Sequence, residues 1–242
     1  SIKLFNRGKT VTLTKDGELF FQYALRLYRL HQEVLDRFKN PDLNGEITIG
    51  IPEDFATLFL ADVLVDFSRI HPRVVLNVEC DLTLNLLHRF NKGKLNLVIA
   101  KMSSPQEFPH GVEIWKEPLV WVGKYDDNSC IKKNEPLPLV VSPEPCVYRS
   151  RAIKALEMAH IPWRVVYSSP SYAGRIAAVN ANMGITILPL KMIPKSLEQI
   201  TDQSLPPLSD IHVSLLKQSE PSNMAMDTLS EFLLKKLKGK VL

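Results

Sequence analysis

The chain predicts an α/β protein in which a long amphipathic helix leads into two successive units of alternating strands and helices. Three observations carry this expectation. Residues 14–38 hold a helical pattern without proline after a short β-prone segment, residues 47–101 alternate strand and helix, and residues 119–188 repeat that alternation. Helices between consecutive strands act as crossovers, so parallel strands follow within each set. A chain of 242 residues can bury a good core and should hold more than one structural unit.

At the N-terminus, Gly8-Lys9 forms a turn within Asn6–Leu13, followed by the β-formers Thr10, Val11, Thr12 and Leu13, which suits a two-stranded wing. Thr14 can cap the helix that follows, with Gly17 in its first turn. Along that helix Phe20, Ala24, Leu27, His31, Val34 and Phe38 recur at alternating steps of four and three, the spacing of a coiled-coil seam. Leu19, Tyr23 and Leu30 widen it. The seam is too narrow to be a solitary core, so the chain is expected to form at least a dimer through this helix. His31 on the seam is read as ordinary partial burial. Asn40-Pro41-Asp42-Leu43-Asn44-Gly45 breaks the helix and forms a hinge.

Beyond the hinge, Ile47–Ile51 is an apolar strand, Phe55–Ile70 a helix stopped by His71-Pro72, Val74–Cys80 a strand, Thr83–Asn91 a helix with Thr83 as N-cap, and Leu95–Lys101 a strand. The second set comprises Leu119–Gly123, Leu139–Ser142, a helix around Arg151–His160, Arg164–Ser169, the helix Tyr172–Asn182 and Ile185–Leu188. Val213–Lys217 adds a strand, and Met224–Leu237 closes the chain as a helix.

Charge and composition narrow the function. The net charge is +4; residues 1–40 carry eight Lys/Arg against four Asp/Glu, and the remainder carries 22 of each, so the whole basic excess sits on wing and helix. Such a surface favours phosphate contact, though a modest surplus also suits a solvated face. Cys80, Cys130 and Cys146 lack C-x-x-C spacing, so neither a disulfide framework, a zinc site nor any other metal is indicated. The six histidines, at 31, 71, 88, 110, 160 and 212, are scattered. With no G-x-S-x-G elbow, phosphate loop, H-E-x-x-H or dinucleotide fingerprint, an enzyme is not expected and no cofactor is implied. No apolar run is long enough to span a bilayer and no signal peptide is seen, so a cytoplasmic protein without membrane contact is expected.

In the first block Leu4, Phe5, Arg7, Leu13, Thr14, Gly17, Glu18, Tyr23 and Ala24 stand in the order and spacing of L-F-x-R, a basic run, L-T-x-x-G-E and a helix containing Y-A. This resembles the wing and linker helix of LysR-type transcriptional regulators. Further on, Gly45, Gly50, Phe67, His71-Pro72, Gly93, Leu95, Ile99, Ala100, Ala177-Ala178-Val179 and Gly184-Ile185-Thr186-Ile187-Leu188-Pro189 resemble the effector-binding domain of the same family. Asn182 stands where the family usually has Gly, a change that a left-handed helix terminus tolerates. Asn96 stands where Asp is common.

The resemblance implies a linker helix followed by two α/β subdomains of the type II periplasmic-binding-protein fold. The expected divisions are a wing of a truncated winged helix-turn-helix at 1–13, a dimerisation helix at 14–40, subdomain I at 46–118 plus 220–242, and subdomain II at 119–219. It further implies promoter control in response to a small-molecule effector. Implied partners are DNA through Arg7 and Lys9 of the wing together with an upstream recognition helix, a second copy of the chain in dimers or tetramers, and, more remotely, RNA polymerase. A transporter's solute-binding protein shares the fold and is the competing reading; an enzyme on the same two lobes comes after it.

Ligands of open α/β sheets settle at the carboxyl ends of strands, where helix N-termini offer unpaired N–H groups. Pro52–Phe55, Asp81–Thr83, Cys146–Ser150 and Ser168–Ser171 meet that rule and match the family's effector-contacting loops. The candidate effector residues are therefore Pro52, Glu53, Asp54, Phe55, Asp81, Leu82, Thr83, Lys101, Tyr148, Arg149, Ser150, Ser168, Ser169 and Ser171. Thr83, Ser150, Ser169 and Ser171 can donate to a polar ligand, although each hydroxyl suits helix capping equally well. Lys101 and Arg149 can neutralise an anion, while Glu53, Asp54 and Asp81 oppose a strongly anionic effector unless they point outward.

Overall fold

The computed structural model describes residues 2–8, 10–39, 42–102, 104, 107–108, 110–124, 131, 135–202, 204–219 and 223–241. Lys9, Asn40, Pro41 and Cys130 lie outside the described residues.

Strand β1 (Phe5–Arg7) pairs antiparallel with β2 (Val11–Leu13), Phe5 opposite Leu13. Helix α1 (Lys15–Lys39) follows directly. The Thr14 hydroxyl accepts from the Gly17 N–H at 3.0 Å and donates to the Lys3 carbonyl at 2.7 Å, joining wing to helix. A Cβ on Gly17 would lie 2.0 Å from the Leu4 carbonyl oxygen, so only glycine admits this approach.

The helical segment after β3 (Gly45–Pro52) comprises α2 (Glu53–Phe55), a π-helical turn at Ala56–Leu60, and α3 (Ala61–Ile70). Periodicity predicted one uninterrupted helix; the π-turn instead re-aims its first residues, as such bulges do near functional sites. Strand β4 (Val74–Asp81), α4 (Thr83–Asn91), β5 (Leu97–Met102) and β6 (Val112–Glu117) complete the first run. The second holds β7 (Leu119–Lys124), β8 (Leu137–Val141), α5 (Val147–Met158), β9 (Trp163–Ser168), α6 (Tyr172–Asn180), β10 (Thr186–Pro189) and β11 (Leu197–Gln199). Strand β12 (Ile211–Lys217) and α7 (Met224–Val241) close the chain.

The first sheet has the order β4-β3-β5-β12-β6. In the second, β8 pairs with β9, β10 pairs with β7, β7 pairs with β11, and a parallel bridge between Leu139 and Ile185 joins the two parts. Both sheets therefore run second, first, third strand, then one antiparallel strand, then an edge strand. The pairings β3/β4, β3/β5 and β8/β9 are parallel as expected, whereas β12 and β7 run antiparallel to their neighbours. This corrects two expectations. The strand near 213–217, assigned by sequence to the second unit, lies in the first sheet; strands β6 and β11 are additional. Buried Ile211, Val213, Leu215 and Leu216 suit a strand flanked on both sides, and the gap between β5 and β6 supplies those neighbours.

Ile47, Ile49 and Ile51 of β3 pack under α3 and α7, joined by Phe67, Leu229 and Leu233. On the opposite face, a Cβ on Gly50 would meet Leu95 at 2.6 Å and Leu86 at 3.0 Å, so glycine lets α4 lie close to the sheet. Asn96 ties that layer together: its side-chain oxygen accepts from the Thr48 N–H at 2.7 Å, while its own N–H donates to the Thr48 carbonyl. Asn182 takes φ 57°, the left-handed conformation that asparagine tolerates.

Candidate functional site

The carboxyl ends of β3, β4 and β5 face those of β8 and β9 across a cleft of about 380 Å³. That volume lies at the small end of the range for ligand pockets, roughly 300–1,000 Å³. Helices α4, α5 and α6 begin at its rim, with Thr83, Val147 and Ser171 among the lining residues.

At the base, Asp54 and Lys101 form an ion pair at 2.5 Å, with side chains only 3% and 8% exposed. The Lys101 Nζ also sits 4.3 Å from the centroid of the Tyr148 ring on the opposite wall. Burial opposes ionisation of Asp54. The charge and hydrogen bond of Lys101, the charge of Arg175 and the Phe55 N–H together outweigh it and hold this carboxyl below its usual range. Tyr148 is pushed the other way, by burial and then by the charge of Asp54, and remains a neutral phenol. Burial, followed by the charge of Asp54, raises Tyr172 to about 12.

The remaining carboxylates are committed. Asp81 accepts from the Leu82 N–H at 2.6 Å and from the Asn85 amide at 2.9 Å, so it serves the start of α4 in place of the expected Thr83 cap. Thr83 is instead the first helical residue, nearly buried, and lines the cleft. The Glu53 carboxylate crosses to the other wall and accepts the Tyr172 N–H at the start of α6. The Ser171 hydroxyl caps α6 by accepting from the Gly174 N–H at 3.2 Å.

Of the sequence candidates, Pro52, Glu53, Asp54, Asp81, Leu82, Thr83, Lys101, Tyr148 and Ser171 line the cleft. Five do not. Phe55 is fully buried in the core, its ring stacked on Trp115 with centroids 5.1 Å apart, so it anchors the Glu53–Asp54 turn from behind. Arg149 turns behind the wall, donating to the Ser142 carbonyl at 3.3 Å and approaching Glu144 at 3.5 Å. Ser150 and Ser168 are exposed and are not among the lining residues, and the Ser169 hydroxyl accepts the Ser171 N–H at 3.2 Å. Lys101 does not offer a free cation, because Asp54 holds it.

Cys146, Val147 and Pro170 line the cleft from within the expected loops though not among the individual candidates, and Cys80, Ser142 and Arg175 line it from outside those loops. Cys80 is exposed, yet partial desolvation at the cleft wall, then the charge of Glu53, raises its thiol and keeps it protonated. Arg175 is the main omission. It is 6% exposed and donates to the Ser142 hydroxyl, yet its Nε has no hydrogen-bond partner among the described residues. A signal was present: Arg175 is the lone charge in the helix Tyr-Ala-Gly-Arg-Ile-Ala-Ala-Val-Asn, one turn beyond the loop Ser168–Ser171.

On α1 the seam residues Phe20, Leu27, His31, Val34 and Phe38 are exposed and Ala24 is half-buried; Leu27 is 68% exposed. Arg7 is exposed on β1. Among the described residues no helix is long and apolar enough to cross a membrane, and no acid, His or Cys cluster suits a metal ion.

Two α/β lobes, matched in strand order and enclosing a cleft at their strand ends, define a two-lobed protein of the type II periplasmic-binding-protein fold. The family model for the LysR substrate binding domain matches residues 41–238. The chain belongs to the LysR family of transcriptional regulators. It is 32% identical over 224 residues to the HTH-type transcriptional regulator DgdR of Burkholderia cepacia, covering 91% of this chain and 75% of that protein. Identity to PecT of Dickeya dadantii is 28% over 223 residues, covering 91% and 69% respectively. Among solved structures, the LysR family regulator HinK of Pseudomonas aeruginosa superposes with a TM-score of 0.61 at 16% identity, over 96% of this chain and 83% of that one.

Proposed function

We propose that the cleft binds a small-molecule effector and that its occupancy sets the angle between the two lobes, which α1 passes to the DNA-contacting wing. The observation that carries this reading is the buried polar base of the cleft. Asp54, Lys101, Tyr148 and Arg175 converge there from both lobes; Asp54 and Lys101 satisfy each other, while the Tyr148 hydroxyl and the Arg175 Nε are buried without a hydrogen-bond partner among the described residues, a costly state that a polar ligand relieves. In this reading residues 1–13 are the wing and 14–40 the dimerisation helix. Subdomain I comprises 46–118, β12 and the C-terminal helix; subdomain II takes the stretch from 119 up to β12. Arg7 contacts phosphate or the minor groove, and Lys9 is assigned there from its place in the sequence, two residues after Arg7. Two α1 helices pair through Phe20, Ala24, Leu27, His31, Val34 and Phe38, hiding apolar side chains that a single copy leaves in water. The protein acts in the cytoplasm, on promoters, without catalysis.

A ligand shifts the two lobe angles only through its differential affinity for them, so a tenfold regulatory effect needs about 1.4 kcal/mol. The test is Thr83→Val, which removes a cleft-lining hydroxyl at nearly constant size. Effector affinity is followed by calorimetry and promoter output in cells. Lost ligand response with unchanged DNA affinity supports the cleft; full retention of effector affinity and response removes Thr83 from the site.

A further inference from the structure

We propose that Glu53 is a resident anion seated on the N-terminus of α6, and that the effector is a small carboxylate which displaces it. This rests on the cleft being the effector site, and it adds the ligand's chemistry and the contact it must break. Glu53 stands at the carboxyl end of β3 on one wall, and its carboxylate accepts the Tyr172 N–H that opens α6 on the other. At the start of this nine-residue helix the Ser171 hydroxyl takes the Gly174 N–H and Glu53 takes the Tyr172 N–H, and the partial positive charge of the helix start favours an anion there. In this state the anion is supplied by the protein itself, and it bridges the lobes.

A second observation marks the same place. One turn along α6, Arg175 is buried, its Nε lacks a partner among the described residues, and no ion pair joins it to a described carboxylate. The Tyr148 hydroxyl, also lining the cleft and 3% exposed, is likewise without a partner. Other charges around the site are occupied: Lys101 by Asp54, and Asp81 by the Leu82 N–H and Asn85. Glu53 thus satisfies the Tyr172 N–H, while Arg175, which donates to the Ser142 hydroxyl and lends its charge to Asp54, keeps an Nε donor without a partner among the described residues. A ligand carboxylate has two oxygens on one carbon, and can take the Tyr172 N–H with one while engaging Arg175 with the other. Its arrival frees Glu53 and removes the bridge between the walls. Because the two anions compete, the ligand's observed affinity is reduced by the fraction of molecules in which Glu53 holds the seat.

Glu53→Gln preserves side-chain shape and a neutral hydrogen-bond acceptor but removes the competing charge. The full chain is titrated with benzoate, acetate, inorganic phosphate and the neutral isostere benzamide, reading the Tyr172 amide and Arg175 Nε–H resonances by nitrogen-15 NMR. Benzoate is expected to shift both, to bind at least tenfold more tightly to Glu53→Gln than to the parent chain, and to lose that gain in Glu53→Gln/Arg175→Lys. Arg175→Lys keeps the charge but not the Nε donor, so loss there reports the paired geometry.

Equal benzoate affinity in the parent chain and Glu53→Gln overturns the displacement, and so does benzamide binding as tightly as benzoate. Phosphate binding more tightly than both carboxylates overturns the assigned chemistry. In those cases shifts at Thr83 and Ser171 still report a ligand in the cleft, and the effector-site reading stands. No shift of any cleft resonance by any of the four at tens of millimolar overturns the carboxylate seat; the effector-site reading is then judged by Thr83→Val alone.

Discussion

Lys101→Met cuts the buried ion pair at the base of the cleft while keeping most of the side chain's apolar stem. Asp54, 3% exposed, is left with its charge and without the cation that lay 2.5 Å away. Removing one member of a buried pair costs about 3–5 kcal/mol. The Phe55 N–H at 2.9 Å and the charge of Arg175 still serve Asp54, which favours the lower end, about 3 kcal/mol. For a chain of this size that lowers the melting midpoint by roughly 6–12 °C.

The pH dependence has a sign that distinguishes this cause from simple repacking. In the parent chain Asp54 titrates below its ordinary 3.8, so the folded protein binds fewer protons than the unfolded one; the stabilisation is complete above that value and is lost as pH falls through the lower folded one. In the variant, burial is the largest influence left and raises Asp54. Protonation then relieves the buried charge, so the variant gains stability relative to the parent as pH falls from neutrality into the carboxylate range. Thermal melts followed by tryptophan fluorescence across that window measure both effects. Asp54→Asn/Lys101→Met, with no charge to strand, should recover at least half of the loss. Equal midpoints at neutral pH, or parallel pH profiles for parent and Lys101→Met, would refute the assignment of this pair as a buried charge device.

Leu27→Glu places a charge in the middle of the α1 seam, and light scattering should show the dimer giving way to monomer; an unchanged oligomer would move the interface elsewhere. Gly17→Ala drives a Cβ to within 2.0 Å of the Leu4 carbonyl, so the wing must detach from the helix start, and hydrogen exchange at the Thr14 N–H, which donates to Leu4 at 3.0 Å, should speed up at least tenfold while the sheets keep their protection. Residues 1–242 should hold duplex DNA weakly and without sequence preference. If Arg7 neutralises one phosphate, Arg7→Ala flattens the log affinity against log salt plot by about 0.9, and an unchanged slope removes Arg7 from the contact.

Local periodicity determined most of the elements. A proline-free run with apolar steps of four and three is a helix wherever it sits, and the capping of α1 by Thr14 depends on residues only three apart. The strands Ile47–Ile51 and Val74–Cys80 and the helix start at Thr83 were legible for the same reason. The loops at the carboxyl ends of these strands could be named, because a parallel strand leading into a helix always delivers its next residues to the same edge of the sheet.

Partner choice over long sequence separations was beyond such patterns. Nothing local in Ile-His-Val-Ser-Leu-Leu-Lys says that β12 inserts between β5 and β6, because the backbone hydrogen bonds that decide it are offered by residues about 100 positions away. The direction of a side chain is decided in the same way. Phe55 belongs to the candidate loop by sequence, but a π-turn and the Trp115 ring draw it into the core. Lys101 reads as a free cation until Asp54, 47 residues earlier, is found against it. Glu53 reads as a charge that repels anions, and only the tertiary structure sets it on the first N–H of a helix 119 residues further along. Charge type is written in the residue; whether that charge repels, pairs or stands in for a ligand depends on what the fold brings within hydrogen-bond reach.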